Sequence, residues 1–313
     1  MRVLVAGGAG LIGSAMCARL LDRGDSVLCV DNYVTGRAAN LDGLLGRRAM
    51  TFIEADVCRD IALPPGAGLD AVINLACPAS PVDFDRLGLE IMEAGSRGVA
   101  NLLDVARSHG ARFLQASTSE VYGDPESHPQ AETYWGNVNP VGPRSVYDEA
   151  KRFGEALTMA HHRRFGTEVR IARIFNTYGP RMRLDDGRVV SNFVVQALQG
   201  RPITIYGDGS QTRSFCYVDD EVGGLIALLE SDFTGPVNVG DDRERTVRDM
   251  AETVLELTGS ESEIVYVDLP VDDPTRRRPD LTLARRVLGW QPSTSLEDGL
   301  KLTIGWFRAQ LPA

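Results

Sequence analysis

Lysine is almost missing from this chain. Its 313 residues hold Lys151 and Lys301 and no other, so arginine carries nearly all the positive charge. The two cations differ in shape and acidity, so a retained lysine suggests a site that arginine would not serve. Cysteine is also sparse. Five are scattered at Cys17, Cys29, Cys58, Cys77 and Cys216, without the pairing of a metal site or a disulfide framework, and most sit in apolar runs. They read as reduced core residues of a cytoplasmic protein. The four histidines form no ligand pattern, and His161-His162 lies in a polar helical stretch, so no metal is expected. A basic excess is absent: 33 Lys and Arg face 43 Asp and Glu, a net charge of -10. That argues against sequence-independent binding of nucleic acid. It leaves room for a small anion held by a local arginine cluster. No apolar run is long enough for a membrane span. Met1 leads straight into an apolar strand pattern, so no signal peptide is expected.

What is present is an alternation of short apolar runs and helical patterns, the mark of a parallel sheet with crossover helices. Strands are expected at Arg2 to Ala6, Ser26 to Val30, Thr51 to Glu54, Ala71 to Leu75, Arg112 to Ala116 and Val169 to Arg173. Helices are expected at Ser14 to Arg23, Leu87 to Ser108 and Val146 to Arg164. After Tyr178-Gly179-Pro180 the chain turns to loops rich in Arg and Gly, with helical patterns at Thr246 to Thr258 and near the C-terminus. Phe215 to Leu229 reads as a helix returning to the first unit. The expected fold is α/β, a Rossmann-type doubly wound parallel sheet with a smaller interleaved C-terminal substrate domain. Residues 1–177, with about 213–238, would form the first unit, and 178–212 with 239–313 the second.

Gly7, Gly10 and Gly13 follow the first strand and open a helix, with Leu11 and Ile12 between them. Glycines there permit a tight turn and close approach of backbone N–H groups to a pyrophosphate, at a helix end that favours anions. Asp31 ends the second strand eighteen residues on, where a carboxylate can bind both ribose hydroxyls and repel a 2′-phosphate, so NAD is favoured over NADP. Asp56-Val57 suits an adenine edge; a strand-end Asp capping a turn is a nearly equal alternative. Asn32 and Leu75 complete the candidate cofactor set, together with Tyr147 and Lys151.

Tyr147 and Lys151 stand one helical turn apart and share a face. A nearby ammonium lowers a phenol's pKa and makes a base for a sugar hydroxyl. The spacing alone also occurs by chance on surface helices. Thr118, Ser119 and Glu120 follow the fifth strand at the end that faces the ligand crevice in an open parallel sheet; helix capping is their alternative role. Farther on, Asn176, Arg181, Arg188, Asn192, Tyr206, Gln211 and Arg213 lie in Gly/Pro-rich loops. Guanidinium groups pair with phosphate oxygens, which suggests a second diphosphate site. Arg276-Arg277-Arg278 is another basic run, either a solvated face or a carboxylate holder.

These segments together resemble the extended short-chain dehydrogenase/reductase family that acts on nucleotide sugars, and most of all the UDP-glucuronate decarboxylase (UDP-xylose synthase) group. The matching stretches are Ala116 to Pro129, Tyr134 to Pro143, Arg173 to Met182, Asp186 to Gln199, Gly207 to Phe215 and Arg277 to Asp280 with Leu288-Gly289-Trp290. The resemblance implies NAD as cofactor, a nucleotide-sugar substrate and a homodimer. It implies Tyr147 as base at the C4 hydroxyl, Lys151 on the nicotinamide ribose and Thr118 on the C4 oxygen. Ser119 and Glu120 would sit beside the sugar, and Arg277 on the hexuronate carboxylate. Asn176, Arg188 and Arg213 would hold the diphosphate.

Two departures stand out. Gly95 replaces an Asn that the family pattern places in the helix after the fourth strand, and Cys77 replaces a small hydroxyl residue. A 4,6-dehydratase, which needs an acid where Ser119 stands, and a 4-epimerase are the competing activities. A non-catalytic NAD-binding protein is the remote one.

Overall fold

The computed structural model describes residues 1–269 and 276–311. Its main sheet has seven parallel strands. Six are β1 (Arg2–Ala6), β2 (Ser26–Asp31), β3 (Met50–Glu54), β4 (Ala71–Asn74), β5 (Arg112–Thr118) and β6 (Val169–Ile174). The strand Pro236–Val239 adds a seventh at the edge, giving the order Pro236–Val239, β6, β5, β4, β1, β2, β3. Val3, Leu4, Val5 and Ala6 are wholly buried, because a parallel strand is covered on both faces and must be apolar on both. The order reverses between β1 and β4, and the crevice at their C-terminal ends is where such sheets bind ligands.

Helix α1 (Leu11–Asp22) covers one face. On the other face lie α2 (Gly88–Glu93), α3 (Val99–His109) and α4 (Ser145–Phe165). The helix expected as continuous from Leu87 to Ser108 is interrupted by a π turn at Ala94–Gly98. Two glycines in that turn weaken helical propensity. They are needed because a Cβ on Gly95 would lie 2.7 Å from Ala150 Cβ in α4, and one on Gly98 would lie 2.9 Å from Val57. The absent Asn at position 95 is thereby explained locally: α4 occupies the space.

Beyond the sheet come α5 (Val189–Leu198), α6 (Val218–Glu230), α7 (Val247–Thr258), α8 (Thr282–Leu288) and α9 (Leu296–Gln310). A second core gathers Val190, Phe193 and Val194 of α5, Met250 and Val254 of α7, and Ile304 and Phe307 of α9. Helix α6 packs on α1 and the sheet, but starts at Val218 rather than Phe215, because Cys216–Tyr217 pairs in parallel with Thr177–Tyr178. Helix α8 also returns to the sheet, with Ala284 buried in its core. Thr246 and Asp249 close a reciprocal cap at the start of α7, satisfying two donors that the helix leaves free. Arg276–Arg277 pairs in parallel with Thr212–Ser214 and sets Arg277 opposite Arg213.

Candidate active site

A cavity of about 510 Å³ opens at the switch point. Its lining brings together Gly7, Gly10, Leu11, Ile12, Gly13 and Leu75 with Thr118, Ser119, Glu120, Tyr147 and Lys151. From the far side come Asn176, Arg181, Arg188, Asn192, Tyr206, Gln211, Arg213 and Arg277. Three regions that are distant in sequence thus face one space. Asp31, Asn32, Asp56 and Val57 are not in the lining. Asp31 lies at the end of β2 with its carboxylate accepting from the N–H groups of Ala9 (2.9 Å) and Tyr33 (2.8 Å). Asp56 accepts from the N–H of Cys58 at 2.9 Å, the geometry of a turn cap.

The glycine turn fits a dinucleotide diphosphate. Gly7 has φ +76, and a Cβ on it would lie 2.7 Å from the Leu75 backbone. A Cβ on Gly13 would meet the Gly7 carbonyl oxygen at 2.0 Å. Strand, turn and helix therefore close on one another with no side chain between them. No side chain caps α1, so its first N–H groups are left for an anion. Asn40 ties this turn to the far wall, donating to the carbonyls of Ala9 (2.8 Å) and Arg181 (3.1 Å). Arg181 itself takes a left-handed backbone, φ 73, uncommon for a residue with a Cβ.

At the centre, β5 ends in a 3-10 turn, Ser119–Tyr122, capped by Thr118, whose hydroxyl accepts from the Glu120 N–H at 3.2 Å. The turn points Glu120 between two arginines. Arg144 bonds one carboxylate oxygen at 2.8 Å, and Arg277 bonds the other and also the Gly123 carbonyl at 3.0 Å. Burial pushes the Glu120 carboxyl up, but the two guanidinium groups outweigh it and hold the group at about 2. Arg277 is only 3% exposed, so the basic run is not simply a solvated face.

Tyr147 is buried in the first turn of α4, its ring stacked on Phe84 at 5.2 Å. Lys151 lies 5.5 Å from the Tyr147 ring centre and donates to the Ala116 carbonyl at 3.0 Å. The lowered phenol pKa expected from the Tyr/Lys spacing is not what the protein alone produces. Burial raises it first, Cys77 and Glu120 raise it further, and Thr118 and Arg188 act in the opposite direction. Cys77 lines the cavity, where the resemblance expects a hydroxyl residue. Arg188 is held bidentately by Asp186, and burial, which lowers its pKa, is overcome by that carboxylate. The sequence offered no pattern for Phe84 or Asp186, and for Arg144 only its place three residues before Tyr147.

The comparisons agree with this geometry. The model of the NAD dependent epimerase/dehydratase family matches residues 3–240. UDP-glucuronic acid decarboxylase 1 of Arabidopsis thaliana is 50% identical over 311 residues, covering 99% of this chain and 71% of its own length. A protein of the same name from Xenopus tropicalis is 46% identical over 310 residues, covering 99% and 73%. Among solved structures, the UDP-glucose 4-epimerase of Thermotoga maritima with UDP-glucose has a TM-score of 0.89 at 30% identity, covering 100% of both chains. The UDP-glucuronic acid 4-epimerase of Bacillus cereus, in complex with UDP-glucuronic acid and NAD, has a TM-score of 0.88 at 27% identity, covering 99% and 100%. With a glycine turn, a Tyr/Lys helix and an arginine wall around one cavity, and likeness along almost the whole chain, the protein belongs to the NAD dependent epimerase/dehydratase family.

Proposed function

We propose that this enzyme converts UDP-glucuronate to UDP-xylose and carbon dioxide through a 4-keto intermediate, using a bound NAD that ends each cycle unchanged. The observation that carries the reading is Arg277 buried beside Glu120, in the same cavity as Tyr147 and Lys151. A buried guanidinium suits a substrate carboxylate. Likeness to the named decarboxylases supports the same conclusion.

Gly7, Gly10, Leu11, Ile12 and Gly13 would hold the cofactor diphosphate, Asp31 with Asn32 the ribose, and Asp56, Val57 and Leu75 the adenine side. When bound, NAD supplies a reversible hydride acceptor for the sugar C4. The chain's own residues do the rest. Tyr147 takes the C4 hydroxyl proton and later returns it. The positive charge of an oxidised nicotinamide favours the phenolate, which the protein alone disfavours. Thr118 bonds the C4 oxygen, and Lys151 keeps a positive charge beside the ring. Arg277 fixes the carboxylate that is lost. The 4-ketone β to that carboxylate accepts the electrons released. Arg188, Arg213, Asn176, Arg181, Asn192, Tyr206 and Gln211 would hold the nucleotide diphosphate. Ser119 is a poor acid for expelling a C6 hydroxyl, which disfavours a dehydratase.

The division into a cofactor unit (1–177 with about 213–238) and a nucleotide-sugar unit (178–212 with 239–313) belongs to this reading, except that Val239 and helix α8 pack with the first unit. So does a cytoplasmic location, supported by five free cysteines. So also does a homodimer, supported by exposed Leu89, Met92 and Phe153 on α2 and α4. Incubation with UDP-glucuronate, with products identified by mass, tests the activity. UDP-xylose supports it, and a nucleotide hexuronate as the only product refutes it.

A further inference from the structure

The proposed reaction removes the group that anchors its own substrate. At the start Arg277 grips the hexuronate carboxylate. Once that group leaves as carbon dioxide, its electron pair stays at C5 as an enolate, which takes up one proton. The sugar is then a neutral 4-keto pentose with no charge for Arg277 to hold. UDP-xylose forms only if this ketone stays in place until hydride returns to C4. If it escapes, each turnover yields one carbon dioxide, one free UDP-4-keto pentose and one NADH. The proton lost from the C4 hydroxyl then balances the one gained at C5. Retention at this stage rests on the nucleotide end and on the walls around the sugar.

Two segments meet in that wall: the loop after β4, with a 3-10 turn at Pro81–Asp83, and the loop before α5. Arg183 Nη2 donates to Asp83 Oδ2 at 2.9 Å, across 100 residues of chain. Asp83 is 2% exposed, and its other oxygen accepts from Arg86 at 2.8 Å. Arg183 also reaches the exposed Asp185 at 3.7 Å. Beside this ion pair the Ser80 hydroxyl donates to the Asp186 carbonyl. Gly187, with φ +84, sits so close that a Cβ on it would lie 2.2 Å from Val82 Cγ1. Ser80, Val82, Asp83, Arg183, Asp186 and Gly187 all line the cavity. The clasp adjoins the reacting end. Phe84, the next residue after Asp83, stacks on Tyr147 at 5.2 Å, and Asp186 holds Arg188 at 2.9 Å.

Resting on the decarboxylase reading, we propose that the Asp83–Arg183 ion pair decides which product leaves: it holds the two loops together beside the sugar until hydride has returned to C4, so that UDP-xylose is released and the 4-keto pentose is not. Closed walls of this kind keep a reactive intermediate from solvent. A charge-assisted bond is suited to the task, and a largely buried pair is little screened by salt. Removing one partner leaves the other charge unpaired in the wall, which favours opening. Neither side chain makes or breaks a bond in the reaction. Both are positioning residues, acting through Phe84 on one loop and Arg188 on the other.

The test measures product ratio as well as rate. The NAD-loaded protein is incubated with UDP-glucuronate, UDP-xylose and UDP-4-keto pentose are quantified by mass, and NADH is followed by its absorbance. Arg183→Gln leaves the Asp83–Arg86 contact in place. It should raise the 4-keto share of the product roughly fivefold or more, with an equal amount of NADH appearing. Its turnover should slow as NAD is used up and recover when NAD is added. Arg183→Lys should restore most of the original ratio. Asp83→Asn should act in the same direction, and the double variant should be no worse than the worse single one, because both remove one interaction. If Asp83→Asn does not fold, the two Arg183 variants decide. An Arg183→Gln enzyme with an unchanged product ratio, whether at full rate or slowed, overturns this inference and leaves the decarboxylase reading standing. No carbon dioxide from UDP-glucuronate with the unmodified protein overturns the reading and the inference together.

Discussion

Arg277 shows how much a single residue's surroundings decide. In the sequence it is the middle of a basic run. In the structure the parallel register that sets it opposite Arg213 puts both at one cavity. Its guanidinium pairs with Glu120, which Arg144 also holds, so one carboxylate faces two cations at this end of the cavity. Replacing Arg277 with alanine removes charge-assisted hydrogen bonds worth about 1.5–3 kcal/mol. Turnover of UDP-glucuronate should fall by roughly tenfold to a hundredfold. Retention of NAD should stay unchanged, because the glycine turn lies on separate elements. Steady-state kinetics and the cofactor content of the purified variant check this, and equal loss of both would mean that Arg277 is structural. Of the residues that line the cavity, the glycines, the Tyr147/Lys151 pair and Arg181, Arg188, Arg213 and Arg277 were legible, because chemistry narrows their type; Phe84 and Asp186 were not. Arg144 was little more so, since its role is defined by what it faces in space and not by a spacing along the chain.

Among the elements, the parallel strands and the glycine turn were the most legible, since continuous apolar runs have few other uses. The π turn at Ala94–Gly98 was not, because its cause is Ala150 on another helix. The strand Pro236–Val239 was missed: it is four residues long, opens on proline and carries Asn238. Helix α6 holds a further surprise in Glu221, wholly buried, with Thr177 donating to one oxygen at 3.2 Å and the other oxygen unpartnered among the described residues. Burial lifts this carboxyl from 4.5 to about 8, against the bonds from Cys216 and Thr177. The folded state therefore binds the proton more tightly than the unfolded chain. Stability contributed by that proton is complete at low pH and declines as pH rises from about 4.5 to about 8. Glu221→Gln keeps the shape and removes the charge. It should leave stability nearly unchanged near pH 5 and raise it at pH 8.5 by about 1–3 kcal/mol. Thermal melts at the two pH values decide; a variant equally destabilised at both would show that the ionised carboxylate is not the cost.

At the scale of the whole molecule, the α2 and α4 face is the feature a monomer leaves unexplained. Leu89 is 82% exposed and Phe153 51%, on helices packed side by side. Phe153→Glu should convert a dimer to a monomer by light scattering; a monomeric parent protein would refute the proposed assembly. In an acidic chain, the arginine-walled cavity has a single purpose in this account: an anionic nucleotide sugar is drawn to one place, where C4 can be oxidised and the carboxylate on C5 lost. The most direct measurement uses UDP-glucuronate labelled with deuterium at C4, incubated with the purified protein without added reductant. The account predicts carbon dioxide and UDP-xylose that keeps the deuterium at C4, with no stoichiometric build-up of NADH. A product that still carries its C6 carboxylate, or UDP-xylose stripped of the label, would contradict it.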